Sequence, residues 1–343
     1  MTLKDIADKA GVSMMTVSNV INGKHNHVSA KTIEKVNKII EEYGYVPNLS
    51  ARTLTNKKSN IIGIIISLAE TDDKFNSLEN PYISTMIGTI EYELRQNGYY
   101  TMVRSISQQA DVTALFKNWN VDGILFLYPH DSQEMLSFLA TAPCPVAMFD
   151  SSLDSPHFIN ICSDDQKGLY LSTKYLIERG HTHIAFVADY QHNTLLTNRF
   201  LGYRQALEEF QIPFHKDYVY PYSPSYEGGL RAGIEIATSS NPITAVVTTA
   251  DICAIGIMEG ARLHGYTLPN DLSIIGYDNL SLCQYTFPKL TSISQNISQK
   301  ASLAVKLLLE KIQTGTLSTS SKQKTDVIIV ERDSVIALPN KKH

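Results

Sequence analysis

The sequence predicts two kinds of fold in one chain. A small all-α head contains a helix-turn-helix, and an α/β body is built from two doubly wound parallel-sheet subdomains. Three observations predict this. Residues 2–45 carry helical periodicity, punctuated by glycine and serine where a two-helix corner needs them. From residue 61 onward, short aliphatic strands alternate with helical patterns. Charge divides the same way: residues 1–58 hold nine Lys and Arg against five Asp and Glu, and the remainder holds twenty-one against twenty-nine. A chain of 343 residues exceeds one core and suits two or three domains.

Net charge is −4, which alone argues against a nucleic-acid partner. A basic head on an acidic body is nevertheless the footprint of phosphate contact at one end only. Apolar residues make up 43% and charged residues 19%, as in ordinary globular proteins. Cys144, Cys162, Cys253 and Cys283 lack metal-site or disulfide-framework spacing, which fits buried thiols in a reducing compartment. The N-terminus has no apolar signal core, and the longest aliphatic run, 61–69, is far shorter than a bilayer span. The expectation is a cytoplasmic protein with no membrane partner. No Gly-x-Ser-x-Gly, Walker loop, Gly-x-Gly-x-x-Gly or His-Glu-x-x-His occurs. The pairs His25/His27 and His181/His183 have too few acids nearby to propose a metal. Neither an enzyme nor a cofactor is expected.

Thr2 is an N-cap with Asp5 as its capping partner. Ile6, Ala7 and Ala10 share one helix face. Gly11 supplies the corner, Val12 plugs it, and Ser13 caps a second helix. Val17, Val20 and Ile21 turn inward. That leaves Met14, Met15, Thr16, Ser18 and Asn19 near the start or outer side of this helix, the part that reaches base edges when such a helix enters a major groove. A third helix starts at Ser29, carries the stripe Ile33, Val36, Ile40 and Tyr43, and ends at Gly44. Pro47 forbids its continuation, and Asn48 can cap a new helix over 49–55. Two turns are too short to be stable alone in water, so this hinge is expected to order only when docked.

Ala10-Gly11-Val12-Ser13, Thr16-Val17-Ser18, Asn22-Gly23, Val28-Ser29, Tyr45-Val46-Pro47-Asn48 and Ala51-Arg52-x-Leu54 together resemble the headpiece and hinge of the LacI/GalR family of bacterial transcription regulators. The resemblance implies that Leu54 wedges into the minor groove at the operator centre, beside its copy on a second chain. It also places sequence readout at positions 14, 15 and 19. Methionine there offers a thymine methyl contact and no bidentate hydrogen bond, which makes Asn19 and Thr16 the better base readers. Lys4, Lys31, Arg52, Lys57 and Lys58 are phosphate contacts or solvated surface charges, and Asn48 and Ala51 belong to the same DNA-facing hinge.

In the body, strands are predicted at 61–67, 100–105, 123–128, 146–149, 159–162, 183–188, 245–249, 273–276 and 327–330. Helices are predicted at 83–96, 168–179, 199–210, 226–237, 252–263 and 299–312, with a polar loop over 314–324. Val121-Asp122-Gly123-Ile124, Gly180-His181-x-His183-Ile184-Ala185-Phe186-Val187, Arg199-x-x-Gly202-Tyr203, Leu268-Pro269-x-Asp271-Leu272-Ser273-Ile274-Ile275-Gly276-Tyr277-Asp278 and Pro288-x-Leu290-Thr291-Ser292-Ile293 resemble the periplasmic-binding-protein type 1 sensor core of the same family. The resemblance implies a headpiece at 1–46, a hinge and linker at 47–60, an N-subdomain of 61–162 with 291–325, and a C-subdomain of 163–290 with 326–343. The chain then crosses between subdomains near 162, 291 and 326.

In such sheets ligands sit outside the carboxyl ends of the strands. Tyr82 follows strand one, Asp150 and Asp278 end strands, and Arg199 is expected to begin a helix. Carboxylates, an arginine and nearby aromatics suit hydrogen bonding to sugar hydroxyls with ring stacking. Strand-end caps and surface salt bridges are the structural alternatives. The resemblance places effector contacts at these positions, at Gln295 and at the helix start marked by Asp251. Ala250 stands where the family commonly has a polar residue. Residues 68–79 form a longer loop than usual and 107–120 a shorter one, which carries Trp119, the only tryptophan.

The expectation is therefore a sequence-specific DNA-binding regulator, a repressor of carbohydrate uptake or catabolic genes. It binds a pseudo-palindromic operator as a homodimer and responds to a sugar or sugar phosphate in the cleft. The rivals are a solute-binding or sensor protein without DNA function, and a regulator whose coeffector is a protein.

Overall fold

The structure is a computed structural model that describes residues 1–21, 23–45, 58–67, 77–106, 120–127, 137, 140–152, 155–191 and 193–339. The chain divides into two compact units, Met1–Asn60 and Ile61–His343.

The first unit contains α1 (Leu3–Ala10), α2 (Met14–Ile21) and α3 (Ala30–Glu42). Thr2 accepts from the Asp5 N–H while the Asp5 carboxylate accepts from the Thr2 N–H, a closed capping box. Gly11 ends α1 at φ +67°, a conformation that charges a side chain a steric penalty. Ser13 accepts from the Thr16 N–H at 3.1 Å, and Ser29 from the Thr32 N–H at 3.3 Å. Ile6, Ala7, Ala10, Val17, Val20 and Val36 form the core. Tyr43, expected on the inner stripe, is 46% exposed; Lys9 covers its ring at 4.5 Å and donates to its hydroxyl.

The second unit runs β1 (Ile61–Ser67), α4 (Pro81–Gln96), β2 (Tyr100–Ile106), β3 (Gly123–Leu127), β4 (Val146–Phe149), β5 (Phe158–Ser163) and α5 (Asp165–Ile177). It continues through β6 (Ile184–Val187), α6 (Thr194–Glu209), β7 (Val219–Tyr220), α7 (Tyr226–Thr238), β8 (Ala245–Thr248), α8 (Asp251–Leu263) and β9 (Ser273–Asp278). It closes with β10 (Thr291–Ser294), α9 (Ile297–Thr314), β11 (Lys322–Thr325) and β12 (Ile328–Val330). One sheet is ordered β11-β5-β4-β3-β1-β2 and is parallel throughout. The other is ordered β12-β10-β9-β8-β6-β7, with β12 alone antiparallel. β3, β4, β6, β8 and β9 are buried along their whole length, as expected of strands covered on both faces. The strand order reverses between β1 and β3 and again between β6 and β8, the two switch points where a crevice opens.

Three expectations need correction. The predicted crossing near 291 comes later: Thr291–Ser294 pairs with β9, so the chain leaves the second sheet only at residues 295 and 296. The polar stretch 314–324 is not all loop. Lys322–Thr325 pairs in parallel with β5, and its polar side chains suit an exposed edge. Arg199 does not begin a helix but lies in the second turn of α6, because Asn193 caps that helix by accepting from the Leu196 N–H. Trp119 and most of the loops 68–79 and 107–120 lie outside the described residues.

Candidate functional site

The head presents one apolar inner face and one open face. Val17 and Val20 point α2 into the core, which turns its start outward. Met14 and Met15 are 52% and 74% exposed, Lys4 is exposed on α1, and Ser18 and Asn19 are half-buried. The Thr16 hydroxyl is 2.9 Å from the Ser13 hydroxyl, so it serves the cap of its own helix. Asn48, Ala51, Arg52 and Leu54, the expected hinge contacts, lie outside the described residues.

In the second unit a cleft of about 670 Å³ of open space lies at the carboxyl ends of strands from both sheets. Five of the six expected effector residues line it: Tyr82, Asp150, Arg199, Asp278 and Gln295. Parallel strands explain the convergence, because every strand of a parallel sheet delivers its following residue to the same edge. Asp150 follows β4 at φ +57° and Asp278 ends β9 at φ +113°. Both are non-glycine residues at positive φ, a backbone state that costs energy and is held by the structure around it.

The sixth, Asp251, sits behind the wall. It is fully buried at the first position of α8, where its carboxylate accepts the Leu280 N–H at 2.8 Å and the Ser292 hydroxyl at 2.5 Å. Burial pushes its pKa up to about 6 against the pull of those two donors. Ala250 supplies no side-chain cap to α8, so the acid within the first turn faces the helix dipole instead.

Arg199, which lines the cleft, and Lys300, buried behind it, are each held by a carboxylate of the protein. Arg199 places Nε and Nη2 on one oxygen of Asp165, each at 2.8 Å, and donates to the Thr249 carbonyl at 2.5 Å. Its guanidinium lies 3.7 Å from the Tyr277 ring centroid, and the Tyr277 hydroxyl donates to Asp165 at 3.1 Å. Lys300, on α9, has no solvent exposure. Its ammonium reaches both oxygens of Asp150 at 2.6 and 2.5 Å, the Ser163 hydroxyl at 3.0 Å and the Gln295 carbonyl oxygen at 3.1 Å. Ser163 also donates to that oxygen, at 2.9 Å. The Gln295 amide nitrogen is thereby aimed at Asp278, 2.5 Å away. Among the described residues, the Asp278 side chain is paired with this amide, where Asp150 and Asp165 have cations. Burial raises its pKa well above the carboxylate range, and the nearby charge of Asp251 raises it further.

Asn80, Asn193, Thr249 and Lys300 were not among the sequence candidates. The two asparagines were legible as caps preceding helices. Lys300 carried a fainter signal: it falls one turn before Ala304 and two before Leu308, on the apolar stripe of α9, where a lysine needs a buried acid.

Residues 2–48 match the family model described as "Bacterial regulatory proteins, lacI family", and residues 173–335 match "Periplasmic binding protein-like domain". The chain is 30% identical over 336 residues to the HTH-type transcriptional regulator DegA of Bacillus subtilis, covering 96% of this chain and 94% of the relative. It is 32% identical over 317 residues to the HTH-type transcriptional repressor PurR of Vibrio atlanticus, covering 91% and 92%. Its fold is similar to a lac repressor dimer bound to operator and the anti-inducer ONPF, with TM-score 0.86 and 28% identity over 98% of this chain and 99% of that one. It is also similar to a transcriptional regulator CelR–cellobiose complex, with TM-score 0.71 and 25% identity over 98% and 100%. A LacI-family regulator of Enterococcus faecium with bound ribose matches at TM-score 0.72 and 28% identity over 81% and 100%. These relatives are regulators and not enzymes. A helix-turn-helix head with a two-sheet sensor body, matched along nearly its whole length by such proteins, belongs to the LacI family of DNA-binding transcriptional regulators.

Proposed function

We propose that this regulator is a repressor that binds a pseudo-palindromic operator as a homodimer and is controlled by a carbohydrate in the cleft between its two sheets. The observation that carries the proposal is the convergence of Asp150, Arg199, Asp278 and Gln295 on one cleft. Acceptors, a planar donor and an amide at fixed angles suit a ligand rich in hydroxyl groups. The cellobiose and ribose complexes of similar proteins support that ligand class, and the operator-bound lac repressor dimer supports the assembly.

In this reading an effector that contacts both sheets favours one relative orientation of the subdomains. It acts on operator affinity only through its different affinity for the two orientations. Among the described residues, no helix is long and apolar enough to cross a membrane.

The test is selection of the full chain on random duplexes, then fluorescence anisotropy on the selected site with and without a sugar library. Tight, salt-sensitive binding to a two-fold-symmetric site, changed by a sugar, is expected. Selection of a site without two-fold symmetry removes the homodimer, and indifference to every carbohydrate removes the sugar effector.

A further inference from the structure

Lys300 sets the charge at one end of the cleft. Its ammonium carries three protons and meets four oxygens, two of them from Asp150. Asp150 also accepts the Ser163 N–H at 3.2 Å. This carboxylate therefore enters the cleft already neutralised, with its counter-charge behind it. Arg199 is likewise committed to Asp165. Among the described residues lining the cleft, Arg199 is the only cation, and Asp278 is a carboxylate whose partner is an amide.

Among the described residues, this inventory leaves no free cation to balance an anionic ligand. A phosphate would be brought beside Asp278, with Asp251 behind it, in a space partly closed to water. Among the described residues an anion there meets no free counter-charge, and an unbalanced charge costs more in such a space than in bulk solvent. Helix N-termini do face the cleft, but Asn80 and Asn193 cap two of them, and α8 carries its own Asp251. Their partial charges do not replace a counter-ion. As a carboxylate, Asp278 accepts from hydroxyl or ammonium groups. As a carboxylic acid it donates one proton to a hydroxyl oxygen and still supplies no positive charge.

Resting on the proposed carbohydrate reading, we infer that Lys300 is a positioning residue that makes the cleft selective for unphosphorylated polyols. It does so by cancelling Asp150 and leaving Asp278 and Gln295 to take the ligand's hydroxyl groups. Lys300 does not touch the ligand. It acts through Asp150, whose charge would otherwise demand a cation from the ligand.

The probes are matched sets measured with the full-length chain by thermal shift and calorimetry: glucose, glucosamine and glucose 6-phosphate; ribose and ribose 5-phosphate; cellobiose and cellobiose 6-phosphate. The wild type is expected to bind at least one neutral sugar more than about tenfold more tightly than its phosphate. A phosphosugar that binds as well as its parent overturns the inference and leaves the carbohydrate reading standing. Absence of binding by every probe removes that reading, and the inference falls with it.

Lys300→Met separates positioning from mere support. It frees Asp150, so amino-sugar affinity relative to the neutral parent is expected to rise about tenfold. The Lys300→Met/Asp150→Asn double variant is expected to return the ratio to the wild-type value. It also guards against misfolding, since replacing both partners is far milder than leaving one charge buried alone. Equal weakening of all probes in Lys300→Met, with the ratio unchanged, assigns Lys300 a purely structural role and overturns the inference.

Discussion

Arg199 and Asp165 meet at 2.8 Å with only 6% and 8% of their side chains exposed, and they join α6 to α5 at the cleft wall. Arg199 was visible in the sequence as an effector candidate, whereas its partner was not. The pair makes Arg199 a wall element first, held flat over Tyr277, and a ligand donor only through its remaining protons.

Removal of one partner is the direct test. Asp165→Ala strands a buried guanidinium and is expected to cost about 3–5 kcal/mol in urea unfolding of the second unit. Asp165→Ala combined with Arg199→Met should cost clearly less than Asp165→Ala alone. A double variant no better than the single would mean that the charge is not what binds these helices.

The head makes a prediction about DNA chemistry. Met14 and Met15 are the most exposed side chains at the start of α2, and the Thr16 hydroxyl is committed to Ser13. Readout there is then apolar, through thymine methyl groups. Substituting deoxyuridine for thymidine in the selected half-site should cost about 0.8 kcal/mol, about fourfold, at each contacted position. The Met14→Ala/Met15→Ala variant should be indifferent to the same substitution. Equal affinity for both duplexes in the wild type would return base reading to Asn19.

A third prediction concerns pH. The Asp251 carboxyl is raised to about 6 in the fold, chiefly by burial. A folded-state value above the unfolded one means that the native state holds the extra proton. This contribution is fully present below about pH 4 and is lost as pH rises through about 6. Asp251→Asn should be relieved of that loss. The stability difference between variant and wild type should therefore move in the variant's favour from pH 4 to 7, by roughly 2–3 kcal/mol. A difference that stays flat across that window would show that the hydrogen bonds from Leu280 and Ser292 keep Asp251 ionised throughout.

The architecture was legible because its signals are local. β1 announces itself as Ile-Ile-Gly-Ile-Ile-Ile-Ser, and the capping box at Thr2 and Asp5 marks the start of α1. β7 and β11 escaped because a two-residue strand and a polar edge strand lack periodicity; only their neighbours define them. In the cleft, residues at strand ends were readable, since parallel topology fixes where a strand end goes. Asp251 shows the limit of that rule: its position says helix start, and only the tertiary fold shows Ser292 and Leu280 drawing its carboxylate inward. Lys300 was not readable as a site residue, because nothing near it in sequence reveals that Asp150 lies opposite.

The last prediction tests how the second sheet's helices are fitted together. α7 and α8 approach closely enough that a Cβ built at Gly256 would lie 2.1 Å from the Tyr226 carbonyl oxygen. At Gly229 the same atom would lie 2.0 Å from the Cys253 carbonyl oxygen. Neither neighbour is a side chain that can swing away; relief requires the two helices to separate. Gly256→Ala should therefore cost at least about 3 kcal/mol, the upper end of overpacking penalties. Gly88, in α4, meets nothing within 4 Å and has no left-handed backbone to protect. Gly88→Ala should instead stabilise by about 0.5–1 kcal/mol through helix propensity. Chemical unfolding of the two variants side by side decides it. If both substitutions stabilise, α7 and α8 do not pack at this separation, and the α8 start carrying Asp251 is not held against the cleft by its neighbour.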